Sequence, residues 1–543
     1  MTKVKLPSTN EQEKEFLIQL GRGIFERLTK EFEDFCGVKL DGERKELLSR
    51  ELQLLEREYF DGLDKTYFMA KEAFEKGRQN KARARANNPK MNETLAAFQS
   101  TWLSSAGVPL LGGMIFSKHI AGIKYLHGLD EHEGALVDVF TSATSLSLGA
   151  HNPYATIYDY FETALKMRDN FSVPYHPGMR HAFFVDRISK LYPSTAKVPV
   201  NVHSEASGTV ADSVSIEAAL AYVEKRTNSI SARMLAVDGT WAGTFSAARE
   251  GTGFGVSDFS MNRTNNQPLY VERCLPAPTT ENKERFLNVV QDRVERGLAA
   301  GLYIEPDVIG DLGVPLVCPE VLRGALAICR KHQLPIIADC VQQIGRTGSY
   351  WGENVDKVLK DYPLLIVTAA KSASNGQFLG YTLIPKEIAS KAYPLCHINT
   401  NHMNGALLRA VAVSEFLCDA NFQSWLAAKG KKIEEVAKKH GIAIGERGLR
   451  GKYMNRGVFL ETNDNVKLAQ IALLVEDGLL TGSLPETLRY QPMLMDYSST
   501  NELIAEIIFR RVGEVMQGKV SQPVKEIFDK LQGVDSGLAM KNM

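Results

Sequence analysis

The chain lacks the features that build small stapled proteins or membrane spans. Its seven cysteines are scattered at 36, 274, 318, 329, 340, 396 and 418, with no CxxC pair. That spacing excludes a disulfide framework and a structural zinc site, so the thiols read as reduced. No apolar run approaches the roughly 18 residues that cross a bilayer. Residues 1–15 are polar and mixed in charge, unlike a secretory signal or an Arg-rich transit peptide. A cytoplasmic enzyme is the expectation. Net charge is missing too: Lys+Arg and Asp+Glu both total 64. No global field therefore draws nucleic acid or an anionic membrane, and small neutral or zwitterionic partners fit better. Nucleotide signatures are also wanting. There is no GxxxxGK[ST] loop, and Gly251-Thr-Gly-Phe-Gly255 lacks the third glycine and the following helix of a dinucleotide fingerprint.

What is present is a long, ordinary globular sequence. At 543 residues the chain exceeds what one core organises, which predicts at least two domains. A hydrophobic content of 44% argues against extensive disorder. Residues 16–35 carry Phe16, Leu17, Leu20, Ile24, Phe25, Leu28 and Phe32 at helical spacing, and residues 47–63 repeat the pattern. The second stretch runs into a basic segment, residues 76–89, without the interleaved aromatics that would stack on bases, so it reads as a solvated linker. Residues 1–110 are thus a helical extension. After Gly149 short β-branched runs alternate with helical ones: apolar runs at 198–202, 234–237, 302–304, 335–338 and 364–368, helices at 211–223 and 319–331. This alternation predicts an α/β fold with a large, mostly parallel sheet covered on both faces. Helices at 405–418 and 501–515 bound a tail long enough for a smaller α+β domain. The expected division is 1–110 extension, 111–150 N-terminal part of the small domain, 151–395 large domain and 396–543 C-terminal small domain.

The chemistry concentrates at two strand ends. Asp339 closes Ile336-Ile-Ala-Asp339, where open α/β sheets bind ligands, and Lys371 follows Leu365-Ile-Val-Thr-Ala-Ala. An amine beside a carbonyl cofactor can form a Schiff base, and a buried carboxylate can keep a pyridine nitrogen protonated. A structural Asp–Lys ion pair is the plain alternative for two such residues alone. Ser207-Gly208-Thr209, between a strand and a helix, adds backbone N–H groups and hydroxyls suited to a phosphate; an ordinary N-cap is its plain alternative. Together the three point to pyridoxal 5′-phosphate (PLP).

These segments resemble the class III (ω-type) aminotransferases of PLP fold type I. Ala338-Asp339-Cys-Val-Gln342-Gln-Ile-Gly345-Arg-Thr-Gly348 is similar to the pattern ADEVQxGxGRTG with one residue deleted, and Thr368-Ala-Ala-Lys371 to the lysine segment. Glu305-Pro306 with Gly310-Asp311-Leu-Gly313 resembles EPxxGExG, and Ser207-Gly208-Thr209-Val-Ala211 resembles SGTEA. Leu148-Gly149-Ala-His151-Asn152-Pro153 is similar to the glycine–histidine–proline turn, and Gly239-Thr-Trp241-Ala-Gly243-Thr244 to GxYHGRT. The likeness covers about residues 120–515. It implies Lys371 as the Schiff-base lysine and general base, Asp339 at the ring nitrogen, and Trp241 stacked on the ring. It also implies Gln342 at the cofactor's 3′-oxygen and Ser207, Gly208 and Thr209 at the phosphate. Thr400 falls where the family places a threonine reaching the neighbouring subunit's phosphate, which implies a homodimer. Leu488-Arg489-Tyr-Gln-Pro492 resembles the arginine segment that binds a substrate carboxylate in several members. In some members that arginine pairs with the second glutamate of EPxxGExG, here Asp311; a plain surface Arg489 is the alternative. The chain departs from the patterns at Cys340, where they have glutamate, at Ala242, where they have histidine, and in its extension.

The expected function is transfer of an amino group from an amine or amino acid to a keto acid. An aminomutase, racemase or decarboxylase on the same scaffold is the nearest alternative, because fold does not choose the reaction. A PLP-free scaffold whose extension binds a partner is the alternative from another class. His203, His332 and His440 have no partners at metal spacing and are expected to be structural.

Overall fold

The computed structural model describes residues 6–76, 116–126, 135–141, 144–164, 178–228, 230–243, 246–252, 269–392, 404–484 and 486–529. The basic segment beyond Lys76, most of Gly251–Gly255 and Thr400 lie outside the described residues.

The extension folds as its periodicity dictates. One helix, Asn10–Cys36, starts at Thr9, whose side chain accepts from the Gln12 N–H, and stops at Gly37 in the left-handed region. Its buried stripe is Leu17, Ile24, Phe25, Leu28 and Phe32. A second helix, Gly42–Lys76, buries Leu48, Leu52, Leu55, Tyr59, Phe60 and Leu63. These stripes do not meet only each other. Phe32 packs edge-on against Phe161 and Phe183, at 5.4 and 5.2 Å. Glu13, 2% exposed, accepts from Trp425 Nε1 at 3.1 Å and from the Ser498 N–H at 2.7 Å, where the helix Ser498–Met516 begins. A carboxylate there satisfies an orphan N–H and complements the helix dipole. The extension is thereby part of the main core.

The large sheet has seven strands in the order Val200–Glu205, Gly380–Pro385, Leu365–Ala369, Ile336–Asp339, Ala299–Ile304, Arg233–Val237, Val271–Leu275. Gly380–Pro385 runs antiparallel to both neighbours, and every other described pairing in the sheet is parallel. Three central strands are buried along their whole length, as continuous apolar runs covered on both faces must be. Sequence patterning located five strands of this sheet. It did not single out Gly380–Pro385 or Val271–Leu275, whose polar residues break the apolar run.

Two smaller sheets flank it. Leu449–Lys452, Asn455–Phe459, Thr487–Tyr490 and Gly482–Leu484 form one, all antiparallel. In the other, Phe116–Ile120, Ile123–Leu126 and Ala135–Asp138 are joined by Leu479–Leu480 in parallel with the last. Segments far apart in the chain therefore share one sheet.

Candidate active site

Strand ends and one helix start converge at the carboxyl edge of the large sheet, where such sheets bind ligands. Asp339 is the last residue of its strand, and Lys371 lies just beyond Leu365–Ala369. Lys371 sits at φ 50° and opens a short 3₁₀ turn, Lys371–Ser374. A left-handed non-glycine residue persists only where its surroundings hold it. Here they do: Ser372 donates to the Thr144 carbonyl at 2.7 Å, Asn375 Nδ2 to the Gly149 carbonyl at 2.9 Å, and the Leu148 N–H to Asn375 Oδ1 at 3.0 Å. Arg346 braces the same turn. Its guanidinium, 1% exposed, donates to Ser147 Oγ, Thr141 Oγ1 and the carbonyls of Met454 and Pro492. Burial pulls Arg346 down to about 9.

The helix Gly208–Thr227 begins at Ser207, whose hydroxyl caps the Val210 N–H. Two glycines permit the close approaches around it. A Cβ on Gly380 would stand 2.3 Å from the Ser207 carbonyl oxygen, and one on Gly243, at φ 143°, 2.5 Å from Thr209. The Gly243 turn sets Trp241, whose N–H donates to Glu305 Oε1 at 3.4 Å. Glu305 Oε2 also accepts from the Gly310 N–H at 2.7 Å. Ser207, Gly208, Thr209, Trp241 and Lys371 line one cavity of about 290 Å³, together with Asp212.

Asp339, 2% exposed, lies deeper. Its Oδ2 accepts from the Tyr303 hydroxyl at 2.6 Å and its Oδ1 from the Val341 N–H at 2.9 Å. Gln342 is buried with its side chain against Gly310, and its Oε1 has no hydrogen-bond partner among the described residues. Arg489 is 5% exposed, so it is no plain surface arginine; its Nη2 donates to the Gly310 carbonyl at 2.9 Å, and it lies 5.5 Å from the Phe140 ring. Gly310–Leu312 is a 3₁₀ turn, which puts Asp311 next to that contact in the chain. Sequence reasoning missed Asp212, Tyr303 and Arg346. Two of them carried a signal: Arg346 stands within the Gly345-Arg-Thr-Gly348 match, and Asp212 four residues after Gly208 on the same helix face.

This sheet, with its single antiparallel strand and its lysine and aspartate at adjacent strand ends, defines the fold type I PLP transferases. The chain belongs to the class-III aminotransferase family, whose sequence profile matches residues 122–510. It is 30% identical over 241 residues to an acetylornithine/succinyldiaminopimelate aminotransferase of Photorhabdus laumondii, covering 42% of this chain and 57% of that one. It is 26% identical over 313 residues to the mitochondrial ornithine aminotransferase of Rattus norvegicus, covering 55% and 64%. The matches thus span a little over half the length of these relatives. Among solved structures, the ornithine aminotransferase of Toxoplasma gondii has a TM-score of 0.63 at 16% identity, over 80% of this chain and 98% of that one. An ω-transaminase of Pseudomonas jessenii, solved with PMP, has a TM-score of 0.62 at 15% identity, over 75% and 94%.

PLP is the cofactor of this class, and the residues present fit it. A helix N-terminus with two hydroxyls suits a phosphate, an indole can wall the ring, and the unpartnered Gln342 Oε1 is a buried polar atom in want of a neighbour.

Proposed function

We propose that this chain is a PLP-dependent aminotransferase, moving an amino group from an amine or amino-acid donor to a keto acid, with Lys371 as its cofactor lysine. The observation that carries this reading is the shared cavity, which gathers Lys371, Trp241 and the Ser207–Thr209 helix start. When bound, the cofactor supplies an electron-withdrawing ring that stabilises negative charge on the substrate carbon next to nitrogen. Lys371 Nζ takes the proton from that carbon and returns it, as a positioned general base and acid. Asp339 favours a protonated ring nitrogen, as a neighbouring opposite charge does. Ser207, Gly208 and Thr209 anchor the phosphate, Gln342 faces the 3′-oxygen, and Trp241 and Val341 keep water from the cavity. Arg489, buried beside the Gly310 carbonyl, serves a substrate carboxylate, and Asp311 is the acid that the family resemblance pairs with it.

The active form is a homodimer in which Thr400 reaches the partner's phosphate, and the division at 110, 150 and 395 separates extension, small and large domains. A cytoplasmic location accords with the six described cysteines, all unpaired. Among the described residues no helix is long and apolar enough to cross a membrane.

The test is borohydride reduction of PLP-loaded protein followed by peptide mapping. The expected adduct is on Lys371, and an adduct on another lysine overturns the assignment. A keto product that accumulates only when an acceptor is supplied distinguishes transamination from isomerisation or decarboxylation. For the dimer, mixing Lys371→Ala with a Thr400→Trp variant should restore activity at one composite site; no recovery despite subunit exchange refutes the shared threonine.

A further inference from the structure

The carboxyl on the cavity wall is not Asp339. Both oxygens of Asp339 are engaged, one by Tyr303 and one by the Val341 N–H. The acid lining the cavity is Asp212, one turn into the helix whose start is the phosphate cradle. It is 2% exposed, and its Oδ1 has no hydrogen-bond partner among the described residues. A buried carboxyl oxygen without a partner is costly and calls for either a retained proton or an arriving cation.

The surroundings show which groups decide between the two. Asp339 and Glu305 face Asp212 from the neighbouring strands, with the hydroxyls of Tyr303 and Thr368 beside it and the Cys340 thiol close by. Burial first, and then the charge of Asp339, hold the Asp212 carboxyl well above the usual carboxylate range. Burial first, and then Asp212 and Asp339, likewise raise the Tyr303 hydroxyl. Lys371 is the cation lining the cavity among the described residues. The site is therefore rich in acid and matched to a ligand carrying positive charge.

We propose that Asp212 is a second carboxyl directed at the cofactor, and that Asp212 and Asp339 together hold the ring nitrogen in its protonated, cationic form. The inference rests on the PLP reading above and adds a residue to it. Before loading, burial and the unpartnered Oδ1 favour the protonated form of Asp212. With the cofactor in place it would give that proton to the ring nitrogen: the O–H bond would break, an N–H bond would form, and Asp212 on the cavity wall and Asp339 behind it would both carry negative charge toward the cation.

The test compares two probes on the apoprotein: PLP, and its carbocyclic analogue in which C–H replaces the ring nitrogen. Dissociation constants are read by fluorescence titration for wild type and Asp212→Asn. The expected result is that Asp212→Asn weakens PLP by about tenfold, the equivalent of one pKa unit, and leaves the analogue equal or tighter. Equal weakening of both probes would make Asp212 a structural residue and overturn the proposal, and so would no weakening of either. Should the variant fail to fold, wild type alone decides. It is expected to bind PLP at least about tenfold more tightly than the analogue, the equivalent of one pKa unit, and equal affinity for the two probes overturns the proposal. Wild type that takes up no PLP refutes the functional reading instead, so the two failures are distinct.

Discussion

Replacing Arg346 by methionine tests whether the turn carrying Lys371 is held by the buried guanidinium. The side chain is 1% exposed and makes five donor contacts of 2.8–3.2 Å, to Ser147 Oγ twice, Thr141 Oγ1, Met454 O and Pro492 O. Methionine fills similar space but donates nothing. The two hydroxyls can turn to other partners, whereas the two carbonyls lose this donor. A buried acceptor left unpaired costs about 1–3 kcal/mol, and relief from burying a charge offsets part of that cost. The net expectation is a loss of about 2–4 kcal/mol, a large share of the roughly 5–15 kcal/mol that holds a folded protein. Arg346→Lys should not rescue, because one ammonium cannot span four acceptors as a planar fork does. Denaturant unfolding followed by tryptophan fluorescence and by circular dichroism reads the loss, and PLP titration should show weaker binding, since Ser147 contacts Ser372 next to Lys371. A variant within about 0.5 kcal/mol of wild type, with unchanged PLP affinity, would refute the bracing role.

Two further changes probe the frame around the site. Burial raises Asp307 to about 6 from 3.8, so the fold favours its protonated form and loses stability as pH rises through that window. Asp307→Asn keeps polar partners for Thr347 and the Asn354 N–H, and its stability relative to wild type should therefore improve by roughly 3 kcal/mol between about pH 4 and about pH 6; a pH-independent difference in paired thermal melts contradicts this. Tyr59, fully buried in the extension, donates its hydroxyl to the Leu148 carbonyl, which also accepts from Asn152 Nδ2. With a second donor in place, Tyr59→Phe should cost only about 1 kcal/mol in unfolding experiments, and a loss above roughly 3 kcal/mol would mean that the ring itself repacks.

Much of the architecture was legible because it rests on local periodicity. The extension's two helices follow from apolar residues every three or four positions, and the central strands from unbroken runs such as Leu365–Ala369. Asp339 and Lys371 stood out because each ends such a run. Gly380–Pro385 was not legible: its place between two strands comes from partners that sequence distance conceals, Val200–Glu205 on one side and Leu365–Ala369 on the other. The extension's role was hidden in the same way, since Glu13 meets Ser498 across nearly the whole chain.

The sequence by itself determined the extension's helices, five strands of the large sheet, the helix start at Ser207 and the pair of strand-end residues, because capping, alternation and strand termini are written within a few residues of each site. Only the tertiary structure decided which acid lines the cavity. Asp212 and Asp339 belong to a helix and a strand of ordinary pattern, and their mutual field arises when that helix lies across the sheet. Arg489 likewise became a buried group only once its strand brought it against the Gly310 turn. Burial and through-space charge depend on what the fold places nearby, and no local pattern encodes that.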